Sequence, residues 1–349
     1  MFRRPELRGD ASSPKDERAL SRVPRVGRLR SALLLPPAAG ASIAALIPAL
    51  STALARHSWV LDALTHFRPL APWTALAAAA GWALLRRRIL ALGLVGFAIW
   101  QWSGIEPFDG PNPVEPDRDR PERLRILMAN VYHPNADFER VAALIRRERP
   151  DIVGLVEVSY DWIDGLERTG IREEFPYRVE VPLGGQGLAL WLREAPHRLE
   201  PAQVFSSTGN PVCKATLAFG GGLTTLWLVH PPNPVGGGRE RANPDFAALA
   251  EQIGLRGGSQ IVVGDLNRTE HSPYFHDFLA TTRLRDSRFG FGPQPSWPTW
   301  SPYRIPLDHA LVSPDVAVVD RRLGESIGSD HLPIILDVAP ASASRKSRN

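Results

Sequence analysis

Nine polar side chains stand where apolar runs begin or end, and their types suit one kind of chemistry. Asn130 follows the run 124–129, Glu157 follows 152–156 and His230 follows 224–229. Asp265 and Asn267 follow 261–263. Asp308 and His309 precede 310–312, and Asp330 and His331 precede 334–338. Asn, Asp and Glu offer oxygen donors, which hard cations such as Mg²⁺, Mn²⁺ or Ca²⁺ prefer. Such an ion polarises a phosphoryl oxygen and lowers the pKa of a bound water. A carboxylate fixes the tautomer of an imidazole beside it, so Asp308 with His331 would make an oriented acid/base pair. His230 and Asn267 would donate hydrogen bonds to charge developing on phosphorus.

Each residue also has an ordinary reading. Asn130 would cap a turn, Glu157 would be a surface charge, and His230 would be packed between Val229 and Pro231. Gly264 to Asn267 would be an Asx-type turn. What favours function is the shared placement, because α/β folds gather their sites at strand ends along one sheet edge. His309 reads as support for its neighbours. His271 and His276 read as surface residues, and His133 and Asn135 lie near the expected mouth. Trp297 and Trp300 read as core side chains more than as stacking platforms. Cys213, the one cysteine, lies in an alternating Val-Cys-Lys-Ala-Thr-Leu segment and is expected in the core. One cysteine also excludes an internal disulfide and a cysteine-based zinc cluster.

The elements that would position these residues begin near residue 123. Strands are expected at 124–129, 152–156, 187–192, 214–219, 224–229, 261–263, 310–312 and 334–338. Helices are expected at 138–149, with Val141, Leu144 and Ile145 on one face, and at 243–253. Strands alternating with helices indicate a layered α/β domain. The 33 prolines and 29 glycines argue against a helical bundle, and 44% hydrophobic residues are enough for a sizeable core.

The N-terminal third has another character. Residues 1–30 carry nine Lys/Arg against four Asp/Glu and read as a basic disordered tail. Within 31–104, apolar stretches run over 33–54, about 70–85 and about 89–102, with Arg86, Arg87 and Arg88 between the last two. The first is long enough to span a bilayer and the others are shorter. About three transmembrane helices are expected, with an interfacial amphipathic hairpin as the alternative. A cleavable signal peptide fits poorly, because the apolar region starts late and more apolar segments follow. The positive-inside rule places the tail and Arg86–Arg88 in the cytoplasm. The domain is then extracytoplasmic, on a multi-pass protein of a bacterial inner or plasma membrane. The spans lack internal charge, so anchoring is favoured over transport. Residues 105–122 read as a linker, and 341–349 as a second disordered tail. Residues 105–340 hold 24 Lys/Arg and 32 Asp/Glu, an acidic balance that runs against a nucleic-acid-binding surface.

The ordered motifs resemble the endonuclease/exonuclease/phosphatase superfamily. They are Leu-Met-Ala-Asn-Val (127–131), Asp-Ile-Val-Gly-Leu-Val-Glu-Val (151–158) and Val-His-Pro-Pro (229–232). Then come Val-Val-Gly-Asp-Leu-Asn (262–267), Pro-Leu-Asp-His-Ala-Leu-Val-Ser (306–313) and Gly-Ser-Asp-His-Leu-Pro (328–333). The resemblance implies a DNase I-like four-layer sandwich, two mixed β-sheets flanked by helices, over 123–340. It implies metal ligands at Glu157, Asn130 and Asp330, the ion being Mg²⁺ or Mn²⁺, with Ca²⁺ a further candidate. It implies that Asp265 orients or deprotonates the attacking water with Asn267 in support, that His230 contacts the phosphate, and that His331 with Asp308 contacts it or moves a proton. The chain is also similar to a membrane-anchored bacterial subgroup in which Ser-Trp-Pro-Thr-Trp (296–300) recurs. It departs from the family pattern at Val156, where Gln is common, and at Trp191-Leu192, which leaves Arg193 without a secure role. The implied activity is phosphoester hydrolysis on a lipid head group, a small phosphoester or nucleic acid. A nuclease or a degenerate, non-enzymatic anchored binding module is the alternative.

Overall fold

The computed structural model describes residues 25–204, 209–235 and 239–342. Expectations for residues 1–24 and 343–349 lie outside the described residues. The N-terminal helices are α1 (Arg25–Leu54), α2 (Trp59–Thr65), α3 (Ala71–Leu84) and α4 (Arg88–Ser103). The rest of the chain runs β1 (Leu124–Asn130), α5 (Phe138–Glu148), β2 (Ile152–Val156), α6 (Tyr160–Arg168), β3 (Tyr177–Val181) and β4 (Leu188–Leu192). It continues β5 (Arg198–Val204), β6 (Pro211–Phe219), β7 (Gly222–Val229), α7 (Arg239–Arg256), β8 (Ser259–Asp265) and α8 (Pro273–Thr282). It ends β9 (Arg285–Asp286), β10 (Asp308–Val312), β11 (Val316–Leu323) and β12 (Ile334–Pro340).

Two six-stranded sheets form, ordered β11-β12-β1-β2-β4-β3 and β5-β6-β7-β8-β10-β9. Each holds one parallel pair, β1 with β2 and β7 with β8, among antiparallel neighbours. The central strands are apolar on both faces because both faces are covered. Between the sheets lie Met128, Leu190, Leu228, Val263 and Leu336, with Cys213 among them. Burial raises the Cys213 thiol to about 12, which fits packing and no reactivity. The outer face of the first sheet is covered by α5 and α6 through Val141, Leu144, Ile145, Trp162 and Leu166. The second is covered by α7 and α8 through Phe246, Leu249, Ile253, Phe275 and Phe278. This is the expected four-layer sandwich.

The N-terminal helices pack by a different rule. Ala45, Ala75 and Ala98 meet in their interior, and a Cβ on Gly81 would lie 2.9 Å from the Ala38 Cβ. The large apolar side chains point outward: Ile43, Leu50, Trp73, Ile89, Leu92 and Ile99 are all exposed. One segment, Leu33–His57, is a 25-residue candidate span by length and composition. α3 and α4, at 14 and 16 residues, are shorter. Residues 105–122, expected as a linker, lie along the two-sheet domain. Phe108 is buried against Phe289, and Pro116 bridges to Ala341.

The two sheets approach closely at Gly154 on β2, where a Cβ would fall 2.8 Å from Leu228 Cδ1 of the opposite sheet. Gly154→Val should therefore cost about 1–3 kcal/mol through overpacking. A near-UV circular dichroism melt of the full chain in detergent measures it, and an unshifted midpoint would mean the sheets have slack there.

Candidate active site

The sheet registers bring the expected residues to one end of the sandwich. Asn130 ends β1, and Glu157 follows β2 beside it in the parallel pair. His230 follows β7, and Asp265 ends β8 in the second parallel pair. β10 runs antiparallel to β8, so Asp308 at its start stands opposite Asp265. β12 runs antiparallel to β1, with Ile334 opposite Met128, so Asp330 and His331 just before it reach the same end.

Glycine 264 is required by this approach. A Cβ there would lie 1.9 Å from the carbonyl oxygen of Val229. The Gly-Asp dipeptide thus lets β8 press against β7, which sets Asp265 against His230. Tyr132, Glu157 and Asn267 adopt left-handed backbone conformations, φ 56°, 63° and 54°. Such residues are held by their surroundings and cluster at functional sites.

Asn130 is the hub between the sheets. Its Nδ2 donates to Glu157 Oε1 and to Asp265 Oδ2, each at 3.0 Å. Its Oδ1 accepts from the Tyr132 backbone N–H at 2.9 Å, so its nitrogen is the atom facing the carboxylates. Glu157 Oε2 also accepts from the His133 backbone N–H at 3.3 Å. His230 donates from Nδ1 to the Asp265 carbonyl oxygen at 3.1 Å, which leaves Nε2 3.8 Å from Glu157 Oε1. Asp265 Oδ1 accepts from the Asn267 N–H at 2.9 Å, and Asn267 Nδ2 donates to the Pro231 carbonyl at 3.1 Å. Asn267 therefore ties together Asp265 and the residue after His230.

His331 donates from Nδ1 to Asp308 Oδ2 at 2.7 Å, and its Nε2 lies 3.8 Å from Asp265 Oδ2. Burial pulls the imidazolium down, but Asp308, Asp265 and Asp330 outweigh that and raise it to about 10. Asp330 Oδ2 accepts from Trp297 Nε1 at 3.0 Å. Asp330 Oδ1 and Asp308 Oδ1 are buried with no hydrogen-bond partner among the described residues. Buried oxygens left without a donor favour a cation beside them. Side-chain atoms of Glu157, His230 and Asp265 lie within 4.8 Å of one another, as do those of Asp265, Asp308 and His331. The donor set is thus rich in carboxylate oxygen, as a hard divalent cation requires.

His309 turns away from the pocket. Its Nε2 donates to the Arg268 carbonyl at 2.7 Å, and its ring packs on Phe275. Behind it lies a buried charge network in which Arg288 pairs with Asp286 at 2.6 Å and Glu270 at 3.1 Å. Burial alone would raise the Asp286 carboxyl, but Arg288 and His309 hold it well below the usual range. His309 is therefore a support for the loop, as expected from the sequence. His271, expected at the surface, is buried beside Glu270, because the polar loop after Asn267 runs under the N-terminal helices. His276 is exposed, as expected. Trp297 serves Asp330 as a donor, a role its sequence setting did not reveal. Arg193 stacks on Phe175 and pairs with Glu174 near Asp151, at the opposite end of β2 from Glu157.

A cavity of about 240 Å³ opens over Glu157, Asp265, Asn267, Asp330 and His331. A larger one, about 830 Å³, lies over Arg123, Arg125 and Arg149 at the other end of the sheet and holds none of these residues. His66, from the elbow between α2 and α3, also lines the smaller cavity. Its Nδ1 is 2.9 Å from Thr269 Oγ1, and burial lowers its pKa to about 3. No motif marked it, since its contact spans 203 positions of sequence.

Residues 129–331 match the endonuclease/exonuclease/phosphatase family. The chain belongs to that family. No curated protein matches it. Among solved structures it is similar to a humanized D. rerio TDP2 (15% identity, TM-score 0.51, covering 62% of this chain and 98% of that one). It is also similar to a truncated Caenorhabditis elegans TDP2 (16%, TM-score 0.51, 63% and 99%). A third is an endonuclease/exonuclease/phosphatase from Bacteroides vulgatus (16%, TM-score 0.51, 63% and 99%). At these identities the likeness speaks for the fold, and it agrees with the two-sheet sandwich.

The raised pKa of His331 is open to direct test. In metal-free protein its imidazole should stay protonated from pH 5 to pH 8, by histidine Cε1 chemical shifts. Asp308→Asn removes the nearest carboxylate and should bring the titration down into that window. A wild-type titration near the ordinary value of about 6.5 would contradict the pairing.

Proposed function

We propose that the chain is a divalent-metal-dependent phosphoesterase, tethered to a bacterial membrane with its catalytic domain outside the cytoplasm. The observation that carries the reading is the convergence of Glu157, Asp265, Asp330 and His331 around one cavity, with His230 and Asp308 clustered against them. Glu157 and Asp330 would hold the ion, Mg²⁺ or Mn²⁺, with Ca²⁺ a further candidate. Asn130 would join them through its side-chain oxygen, which here accepts from the Tyr132 backbone N–H. The ion, when bound, polarises the phosphoryl oxygen and lowers the pKa of a bound water.

The chain's own residues do the rest. Asp265, held by Asn267 and Asn130, orients the attacking water and accepts its proton. Asn267 donates to the phosphoryl oxygens as negative charge develops, and His230 contacts the phosphate. His331, kept protonated by Asp308, presents Nε2 to the phosphate or to the leaving oxygen. The phosphorus–oxygen bond to the leaving group breaks as the bond to water oxygen forms.

The anchor reading rests on the candidate span and on the exposed apolar side chains around it. α3 and α4 are taken as further, shorter spans packed on α1. The Arg86–Arg88 turn lies at the end of α3 away from the catalytic domain, so the positive-inside rule puts the domain outside. The division is then an anchor over 31–104, a linker over 105–122 and a catalytic domain over 123–340.

Full-length protein in detergent should hydrolyse bis-p-nitrophenyl phosphate with Mn²⁺ or Mg²⁺, and EDTA should abolish this. Glu157→Gln and Asp265→Asn should each lower turnover by about 10²-fold or more. Turnover that survives EDTA would end the metal-dependent reading. A folded protein that binds Mn²⁺ but hydrolyses neither this ester, plasmid DNA nor phospholipid would favour the anchored binding module.

A further inference from the structure

One wall of the catalytic pocket comes from the N-terminal helices. His66 faces the same cavity as Glu157, Asp265 and His331, and it contacts Thr269. One helical turn earlier, Asp62 is fully buried. One of its oxygens accepts from Ser272 Oγ at 2.7 Å, and the other has no hydrogen-bond partner among the described residues. Thr269 and Ser272 belong to the loop that leaves Asp265 and Asn267. The elbow of the anchor therefore grips the catalytic loop itself.

The apolar surface of the anchor reaches the mouth along the same path. Trp73, Leu70 and Phe67 are exposed, and Phe67 stacks on Tyr303 at 6.0 Å. The turn that carries Tyr303 also carries Trp300, 78% exposed, a few residues beyond Trp297 in the pocket. Trp73 packs edge-on against Trp102, an aromatic pair of the kind that sits at a bilayer surface. Among the described residues no lysine or arginine lines the cavity. A polyanionic strand would find neither in the wall of this cavity to neutralise its phosphates.

On the phosphoesterase reading, we propose that the pocket takes the phosphoester head group of a bilayer-embedded lipid, and that His66 is a specificity-determining residue that positions it. The dock between Asp62, His66 and the 269–272 loop fixes the mouth at the level of the head groups. A neutral imidazole at that wall offers the head group a hydrogen-bond partner without adding charge. Hydrolysis consumes one water and leaves the phosphate on one product and a hydroxyl on the other.

The test uses full-length protein in phosphatidylcholine nanodiscs with Mn²⁺. Two diesters share the same leaving group: water-soluble bis-p-nitrophenyl phosphate, and hexadecyl p-nitrophenyl phosphate held in the disc. A single-stranded oligonucleotide is run beside them. The disc-held ester should be turned over about tenfold faster or more at equal total concentration, since co-confinement raises its effective concentration at the mouth. That gain should fall when the same ester is offered in separate micelles. His66→Ala should raise KM for the disc-held ester several-fold with a smaller change in kcat, and His66→Gln should restore part of it. Equal or faster turnover of the soluble diester or the oligonucleotide overturns the lipid assignment and leaves the phosphoesterase reading standing. No metal-dependent turnover of any substrate above the Glu157→Gln level overturns the reading beneath it. An unchanged KM in a folded His66→Ala protein removes His66 from the site; should that variant not fold, His66→Gln alone decides.

Discussion

The site depends on one constraint: each sheet has a parallel pair near its centre. Parallel neighbours end on the same side, so β1 with β2 and β7 with β8 deliver four strand ends to one edge of the sandwich. Antiparallel β10 and β12 then begin where those strands end, which adds Asp308, Asp330 and His331. Seven side chains from both sheets converge at this edge. Rigid strand ends hold a catalytic set more firmly than loops do.

Bringing four carboxylates together has an electrostatic cost, and the surroundings show how it is met. Asn130 gives an amide hydrogen to each sheet's carboxylate. Asp308 has the protonated His331. Asp330 has one indole donor and one oxygen left over. Donors on the protein satisfy only part of the buried acceptor capacity. The remainder is what makes a divalent cation the natural complement of this pocket. Behind it, Arg288 and Arg321 hold the loops from the rear. Arg321 donates to Ser287 at 2.8 Å, and burial lowers its guanidinium to about 9.

The sequence made the site legible because each motif is a polar residue set against a fully buried strand. β2 agrees with its expected bounds, and β1, β8, β10 and β12 extend theirs by one to four residues. What it hid was edge structure. β3, with Tyr177 and Arg178 exposed, and β11, half exposed over Val319 and Asp320, lack the continuous apolar run of central strands. α6 and α8 are short helices that lean on Trp162, Phe275 and Phe278, and their periodicity is easily lost among turns. His271, in the polar loop Asn-Arg-Thr-Glu-His-Ser (267–272), reads as a surface residue. Instead it is buried, because the N-terminal helices cover it. Burial imposed by a distant segment leaves no local trace.

That burial is the less obvious link between the N-terminal helices and the site. Arg268 is fully buried, lies 4.2 Å over the face of Phe246 and donates to Asn243 at 2.7 Å. Burial lowers it to about 10, while burial raises the Asp62 carboxyl nearby. Both shifts run against the charged forms, so the polar dock is an expensive way to join two parts of a chain. An apolar contact of equal area would hold more strongly but would fix orientation less well. Directional groups such as Asp62, Ser272, His66 and Thr269 accept one register between the α2 elbow and the catalytic loop. The loop they clamp follows Asp265, so the register of the N-terminal helices is also the register of the site.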